Sequence, residues 1–223
     1  LFGANGSVSK VIIESGFSAI QLTQMRVFGA AVISGIVLLI LDRRSFRLPP
    51  RQWPVIVILG VVGVGLLQAT YAFAIALLPV GIALLLEYLA VLIVAVVAFF
   101  FFKEKVHIRL WMAIGLVIVG LVFVAEIWSS TLNPIGVIWG LLAAVALATY
   151  FLVGERQLKT ISPLALSFWT MSVATVFWAP FSRWWKFTGE TFTTTASLGG
   201  TLENVSVPVW ALVAWNVVLG SFA

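Results

Sequence analysis

An apolar run over residues 80–102 restricts the possible folds of this chain more than any other feature of the sequence. The run is interrupted only by Glu87 and Tyr88, and Lys103 follows it at once. At about 1.5 Å of rise per residue, a helix of this length crosses a bilayer core of about 30 Å. The run therefore predicts a membrane-spanning helix that carries a carboxylate inside it.

The composition extends this prediction to a polytopic membrane protein. Hydrophobic residues make up 62% of the 223 residues and charged residues 9%, whereas a soluble domain carries about 25% charged residues. A membrane β-barrel would need short alternating segments, but here the apolar runs are continuous. The sequence has no cysteine, which excludes disulfides and thiolate metal sites. The expected fold class is all-α, a polytopic transmembrane helical bundle without cofactor or metal.

Proline and turn signals divide the chain into eight predicted helical segments. A long Thr-rich and Gly-rich loop separates the last two of them. Because the chain opens on Leu1 and stops at Ala223 inside an apolar run, we expect it to be cut at both ends. The segments lie at about residues 1–13, 18–41, 53–77, 80–102, 110–127, 134–154, 163–180 and from 207 onward.

The loop charges predict the orientation. Nine Lys and Arg residues follow helices two, four and six, and two lie in the opposite loops. The positive-inside rule therefore places the amino terminus and the basic loops in the cytoplasm, and the net charge of +5 does not indicate nucleic acid. The nine are Arg43, Arg44, Arg47, Arg51, Lys103, Lys105, Arg109, Arg156 and Lys159, and the two are Arg183 and Lys186.

A weak internal repeat relates the two halves of the chain. A shift of 144 residues places residues 17–23 on residues 161–167, and a larger offset places residues 57–60 on residues 217–220. Helix six would then repeat helix one after five crossings, an odd number, so the halves must be inverted. Inverted repeats with a site between them are a common build for secondary transporters.

Two motifs resemble a known family. Residues 2–10, FGANGSVSK, followed sixteen residues later by Arg26, are similar to the first two helices of the drug/metabolite transporter superfamily, EamA branch. Residues 81–90, GIALLLEYLA, resemble the fourth helix of its threonine/homoserine exporter-like members, and Glu155 at the end of helix six also fits. Relatives often carry proline after this motif, whereas Val91 stands here, which puts a proline kink in helix four in doubt.

The resemblance implies ten helices in two inverted sets of five. Residues 1–127 would form the first repeat and residues 134–223 the start of the second, so about seven and a half of the ten helices would be present. It also implies proton-linked or exchange efflux of small metabolites through the inner membrane by alternating access. The expected substrate is an amino acid or a related amphiphilic solute.

Charged residues inside the apolar segments are the first candidates for the substrate path. Arg26 and Glu87 lie at a similar predicted depth, and Lys10 lies in the same layer, so we hypothesise one charged cluster around a central cavity. Arg26 or Lys10 would receive a substrate carboxylate, while Glu87 would take the amino group or a proton. A buried ion pair that only holds the helices together explains the same charges, and this alternative stays open.

The uncharged candidates for substrate binding are Asn5, Gln68, Tyr71, Tyr88, Tyr150 and Trp169. Gln68 and Tyr71 are three residues apart and share a helix face. Tyr150 and Trp169 would line the cavity from the second half. Hydrogen bonding or packing between helices explains these residues equally well.

Other classes of protein fit the sequence less well. A membrane enzyme would need a convergent acid-base or metal constellation, which the sequence does not show. A retinal receptor would need a lysine in its last helix, and residues 162–180 contain none. A non-transporting scaffold or assembly subunit and a transporter of a drug or nucleotide-sugar-like metabolite are the alternatives. The expected partners are a small-molecule substrate and the lipid bilayer, and proton coupling and a homodimer are left open.

Overall fold

The computed structural model describes residues 2–103, 108–125, 132–183, 195–197 and 206–219. Five of the helices in these ranges, α2, α3, α4, α6 and α7, are long and apolar enough to span a membrane, which confirms the predicted helical bundle. The predicted turn at residues 128–133 lies mostly outside the described residues, as do Lys105 and Lys186. In chain order the helices are α1 (Phe2–Glu14), α2 (Ala19–Leu41), α3 (Pro50–Leu77), α4 (Val80–Phe100), α5 (Ile108–Ala125), α6 (Pro134–Gln157), α7 (Pro163–Ser182) and α8 (Val209–Val217).

A short sheet stands where the sequence predicted only a loop. Strand β1 (Thr195–Ser197) pairs antiparallel with β2 (Ser206–Pro208), with Ala196 opposite Val207. Both of these residues pack against an apolar cluster that includes Ile12 of α1. Because residues 206–208 belong to this strand, α8 begins at Val209 and not at the predicted residue 207.

Polar caps fix the starts of three spanning helices. The Ser18 hydroxyl accepts the Gln21 N–H, and the Gln21 side chain accepts the Ser18 N–H, which forms a capping box at the start of α2. Asn133 Oδ1 accepts the Ile135 N–H at 2.9 Å before α6, and Ser162 caps α7. These caps satisfy N–H groups that the first helical turn leaves without partners.

The third helix is irregular. It begins with a 3₁₀ turn at Pro50–Gln52, and it winds as a π-helix over Leu59–Leu66 before it returns to α geometry. A Cβ at Gly60 would lie 2.6 Å from the Val173 Cβ and 2.8 Å from a backbone oxygen of α7. A Cβ at Gly63 would lie 3.2 Å from the Tyr150 Cβ of α6. The π-helical stretch therefore lies between α6 and α7, where glycine permits the close approach.

The helices pack in a defined set of pairs. The helix α2 packs against α7, and α3 packs against both α6 and α7. The helix α4 packs against α5 and α6, while α8 packs against α1 and α2. Among the side chains of α5 that the structure describes, most of the large apolar ones are exposed, including Leu116 and Phe123, as expected for a helix surface that faces lipid.

The two ends of the bundle differ in charge. One end, which we call the turn end, carries the short connections at residues 15–18 and 78–79. The other, which we call the basic end, carries the exposed side chains of Arg43, Arg44, Arg47 and Arg51. There a 3₁₀ turn at Arg43–Phe46 is capped by Asp42, whose carboxylate accepts hydrogen bonds from the Ser45 hydroxyl and the Arg44 N–H.

The close contact at Gly60 gives a first prediction. Gly60→Ala should lower the free energy of unfolding by about 1–3 kcal/mol, because the added methyl group meets backbone and a rigid valine. The matched control is Gly115→Ala on α5, where no described atom lies within 4 Å of the added Cβ. The control should raise stability by up to about 1 kcal/mol through helix propensity. Unfolding of the purified variants in detergent measures both, and equal effects would contradict the packing described here.

The Asp42 cap gives a prediction about pH. The hydrogen bond from the Ser45 hydroxyl holds the pKa of Asp42 below its ordinary value. Because the pKa is lower in the folded protein, the stabilisation is fully present above about pH 4 and is lost as the pH falls through the lowered value. Asp42→Asn should therefore be less stable than wild type at pH 7, and the difference should shrink in acid. A difference that does not change with pH would contradict the role of the carboxylate.

Candidate functional site

Several polar side chains lie at one level near the turn end. Arg26, Glu87 and Asn216 are each seven residues after the first residue of their helix, about 10 Å along the axis. The starts of α2 and α8 lie together, because Phe17 before α2 and Val209 of α8 share one apolar cluster. Val80 at the start of α4 lies against Gly6 of α1. We call the set the polar layer, and its members are Asn5, Arg26, Gln68, Tyr71, Glu87 and Asn216.

Arg26 and Glu87 supply opposite charges to the polar layer. Arg26 is 7% exposed, and it interacts electrostatically with both Tyr71 and Glu87. Glu87 is partly buried on α4. Opposite charges attract strongly where water is excluded, and each offsets part of the desolvation cost of the other. Side chains of α2, α3 and α4 therefore interact here, and the predicted charged cluster with Lys10 stays a prediction.

Tyr71 and Gln68 face the same level from α3. A Cβ at Gly6 of α1 would lie 2.5 Å from the Tyr71 hydroxyl oxygen, so the phenol lies directly over residue 6. Tyr71 Oη and Gln68 Oε1 are buried and have no hydrogen-bond partner in the described part of the chain. Such groups are costly in the interior, so each offers a hydrogen-bonding position to a bound solute.

Asn216 is a member of the polar layer that sequence reasoning missed. Its side chain is completely buried, and its Nδ2 donates to Ser9 Oγ at 2.7 Å and to the Asn5 backbone oxygen at 3.4 Å. Asn5 itself is 5% exposed. The available signal was an amide inside the apolar stretch that follows residue 207. These contacts join α8 to α1.

Lys10 and Tyr88 lie beside the polar layer. Lys10 follows Ser9 on α1, is partly buried, and lies four residues before the end of that helix. Tyr88 is partly buried on α4 and interacts electrostatically with the adjacent Glu87. Their predicted contribution to substrate binding stays a prediction.

Tyr150 and Trp169 lie at a different level. Tyr150 is seven residues before the end of α6, and Trp169 is six residues after the start of α7, both counted from the basic end. Trp169 packs edge-on against Trp53 with ring centroids 4.9 Å apart, and Tyr150 packs against Gly63. These two aromatic residues therefore lie apart from Glu87 along the bundle, and their predicted place along the cavity stays a prediction.

Apolar clusters close the polar layer on both sides. Toward the turn end, Ile12, Leu22 and Leu212 pack together, and toward the basic end Leu38 and Ile56 belong to another cluster. Beyond the first cluster, an open cavity of about 310 Å³ is lined by Val11, Glu14, Ser15, Thr195, Ala196 and Ser197. A polar level enclosed between apolar clusters is what an occluded solute site requires. Within the described ranges, no group of three or more His, Cys, Asp or Glu residues could hold a metal ion.

The fold and the polar layer define a multi-pass membrane protein with buried charges inside its helical bundle. The model of the EamA-like transporter family matches residues 1–125, more than half of the 223 residues. The chain belongs to the EamA-like transporter family, whose members are membrane transporters of small solutes. No curated protein and no solved structure matches the chain.

The two charges of the polar layer give a prediction about stability. Arg26→Gln and Glu87→Gln should each lower the free energy of unfolding, but the double variant should lose less than the sum of the two. The expected coupling is about 0.5–3 kcal/mol, because each single variant leaves the other charge without its opposite. Chemical unfolding in detergent measures this cycle, and additivity within about 0.5 kcal/mol would contradict the interaction. Lys159→Gln, an exposed residue after α6, is the control with little expected effect.

Proposed function

We propose that this protein is a secondary-active transporter that exports amino acids or related amphiphilic solutes by alternating access. The observation that carries the proposal is the polar layer, where Arg26 and Glu87 interact inside an apolar helical bundle. Ionisable groups within membrane segments are costly and commonly mark the path of a substrate or an ion. A purely structural ion pair would not require the additional unpartnered amide and phenol oxygens around it.

The charges of the polar layer match a zwitterionic solute. The guanidinium group of Arg26 presents several donors in a plane that suits a carboxylate. Glu87 attracts an ammonium group, or it carries the proton that couples export to the proton gradient. Tyr71 and Gln68 add neutral hydrogen-bonding groups at the same level. An amino acid satisfies each of these groups in one bound position.

The helix pairing supports an inverted repeat. In an inverted repeat, α1 would be equivalent to α6, α2 to α7 and α3 to α8, so each packed pair of helices should have an equivalent packed pair. The pair α2–α7 is equivalent to itself. The same equivalence relates α3–α6 to α8–α1, and α3–α7 to α8–α2, and all of these pairs are present. The repeat boundaries at residues 1–127 and 134–223 are part of this proposal. Alternating access would then move one half against the other around the polar layer.

Two glycine contacts add detail to this symmetry. Gly29 of α2 lies against Val217 of α8, and Gly60 of α3 lies against Val173 of α7. Val173 follows Gly29 by 144 residues, the shift that relates the two halves in sequence. The equivalent helix pairs therefore meet through the same kind of contact, a valine on a glycine, with the two residue types exchanged.

The proposed orientation places the basic end in the cytoplasm of a cell whose inner membrane holds the protein, with the amino terminus on the same side. Because the chain has no native cysteine, single cysteines report accessibility directly. Lys159→Cys at the basic end should react with an impermeant thiol reagent only after the membrane is opened. Glu14→Cys at the turn end should react in intact cells, and the reverse pattern would overturn the orientation.

Glu87 gives the central functional prediction. In proteoliposomes that hold the full-length protein and a panel of amino acids, Glu87→Gln should lower flux by about tenfold or more, equivalent to about 1.4 kcal/mol. The amount of folded protein should stay similar, and an imposed pH gradient tests whether Glu87 carries a proton. Glu155→Gln, an exposed carboxylate at the end of α6, is the matched control and should transport normally.

Three outcomes of this assay separate the proposed function from its alternatives. Normal flux in Glu87→Gln would show that the carboxylate lies outside the transport path. Flux of solutes without an ammonium group, and not of amino acids, would support a transporter of another metabolite. Absence of flux for a broad panel with well-folded protein would support the scaffold alternative.

A further inference from the structure

We propose that Asn216 of α8 and Asn5 of α1 form a subsite for the ammonium group of the transported solute. The proposal rests on the proposed function and goes beyond it, because it assigns one end of the solute to a contact between the two halves. It also leaves Glu87 available for a proton. The subsite consists of the two side-chain oxygens and of the hydrogen bonds that orient them.

The first step is the orientation of the Asn216 amide. Its Nδ2 donates to Ser9 Oγ at 2.7 Å and to the Asn5 backbone oxygen at 3.4 Å, while the Ser9 hydroxyl donates its own proton to the Asn5 backbone oxygen at 2.8 Å. A rotation of the amide by half a turn would place Oδ1 against the Asn5 backbone oxygen, which has no proton to offer, and the Ser9 hydroxyl could donate to Oδ1 only by giving up its bond to that same oxygen. The network therefore fixes Nδ2 toward α1 and turns Oδ1 away from these partners.

The second step is the pair of acceptors that results. Asn216 Oδ1 and Asn5 Oδ1 are both buried and have no hydrogen-bond partner among the described residues. Their side chains are 0% and 5% exposed, so the acceptors lie in the interior. An unpaired buried acceptor destabilises the interior, and two of them lie on the neighbouring helices α1 and α8. A ligand that donates hydrogen bonds here removes the cost.

The third step is the chemistry of the donor. A primary ammonium group has three donors and no acceptor, so it can serve both amide oxygens and a third group at once. Neutral amides bind it without a fixed opposite charge, which keeps binding weak enough for release, as a transport site requires. The cationic end of the solute would then lie at Asn216 and its carboxylate toward Arg26, which belongs to the same polar layer.

The position of the subsite links binding to movement. Asn5 belongs to α1 in the first half and Asn216 to α8 in the second half, and these helices pack directly against each other. An ammonium group held by both oxygens strengthens this contact when the solute is bound. Separation of the halves would divide the subsite between them and release that end of the solute.

The test uses the full-length protein and two sets of probes. Each set consists of an amino acid, the same compound without its amino group (the des-amino acid) and the same compound without its carboxylate (the amine). Phenylalanine, 3-phenylpropionate and phenethylamine form one set, and alanine, propionate and ethylamine another. Binding is measured from the shift of melting temperature in detergent, and flux from proteoliposomes. The variants are Asn216→Leu, of similar volume without polar atoms, and Asn216→Asp. The control is Thr170→Val on α7, where the lost hydroxyl bonds only within its own helix, to the Leu166 and Ser167 oxygens.

The expected result is a change in selectivity. Asn216→Leu should weaken the amino acid and the amine by about tenfold or more, and should leave the des-amino acid within about twofold of wild type. Asn216→Asp should bind the amine more tightly, which keeps the proposal testable if the leucine variant does not fold. Thr170→Val should leave all three probes unchanged.

Several results would overturn the subsite. Equal weakening of all three probes by Asn216→Leu would show a general structural role, and unchanged binding would show that Asn216 does not contact the ammonium group. If only des-amino acids were transported and Asn216→Leu did not change that transport, the protein would still be a transporter, but the ammonium subsite would be refuted. Absence of binding and flux for every probe would refute both proposals.

Discussion

The burial of two opposite charges, Arg26 and Glu87, inside an apolar bundle is the constraint on which the rest of this structure depends. Each charge alone would cost several kcal/mol at membrane depth, so α2 and α4 must present them at one level. Tyr71, Gln68, Asn5 and Asn216 lie six to nine residues from the ends of their helices at the turn end. Apolar clusters on either side confine these groups to a layer about 10 Å from the turn end.

Close glycine contacts make the charged layer compatible with tight helix packing. Gly60 and Gly63 allow α3 to lie between α6 and α7, and Gly6 allows the Tyr71 phenol to lie over α1. In lipid, such close packing and interhelical hydrogen bonds replace the hydrophobic force that holds helices together in water. The π-helical winding over Leu59–Leu66 leaves backbone hydrogen bonds less regular, and such stretches are frequent at functional sites. Helix α3 therefore touches α6 and α7 through small residues, and α1 touches α8 through the Asn5–Asn216 contact.

Sequence reasoning predicted the parts of this structure that depend on position along the membrane normal. Long apolar runs, capping serines and prolines locate the helices, and equal distances from helix ends predict that Arg26 and Glu87 share a level. The sequence does not indicate in the same way which face of a helix points toward its neighbours, because a helix that contacts both lipid and protein is apolar on all sides. For this reason the Asn5–Asn216 contact, 211 residues apart in sequence, was not predictable. The same uncertainty applies to Trp169, which was predicted to line the cavity from the second half and which packs against Trp53 in the structure.

The most direct test is whether the polar layer is reached by water and solute, since a buried structural pair would be reached by neither. Gln68→Cys places a single thiol in the layer of a protein that has no native cysteine. Ile56→Cys, completely buried in an apolar cluster, is the unreactive control. A small hydrophilic thiol reagent should modify residue 68 in membranes, and the transported solute should slow the reaction. A thiol at residue 68 that is as unreactive as the control, or that no solute protects, would contradict a solute path through Arg26 and Glu87.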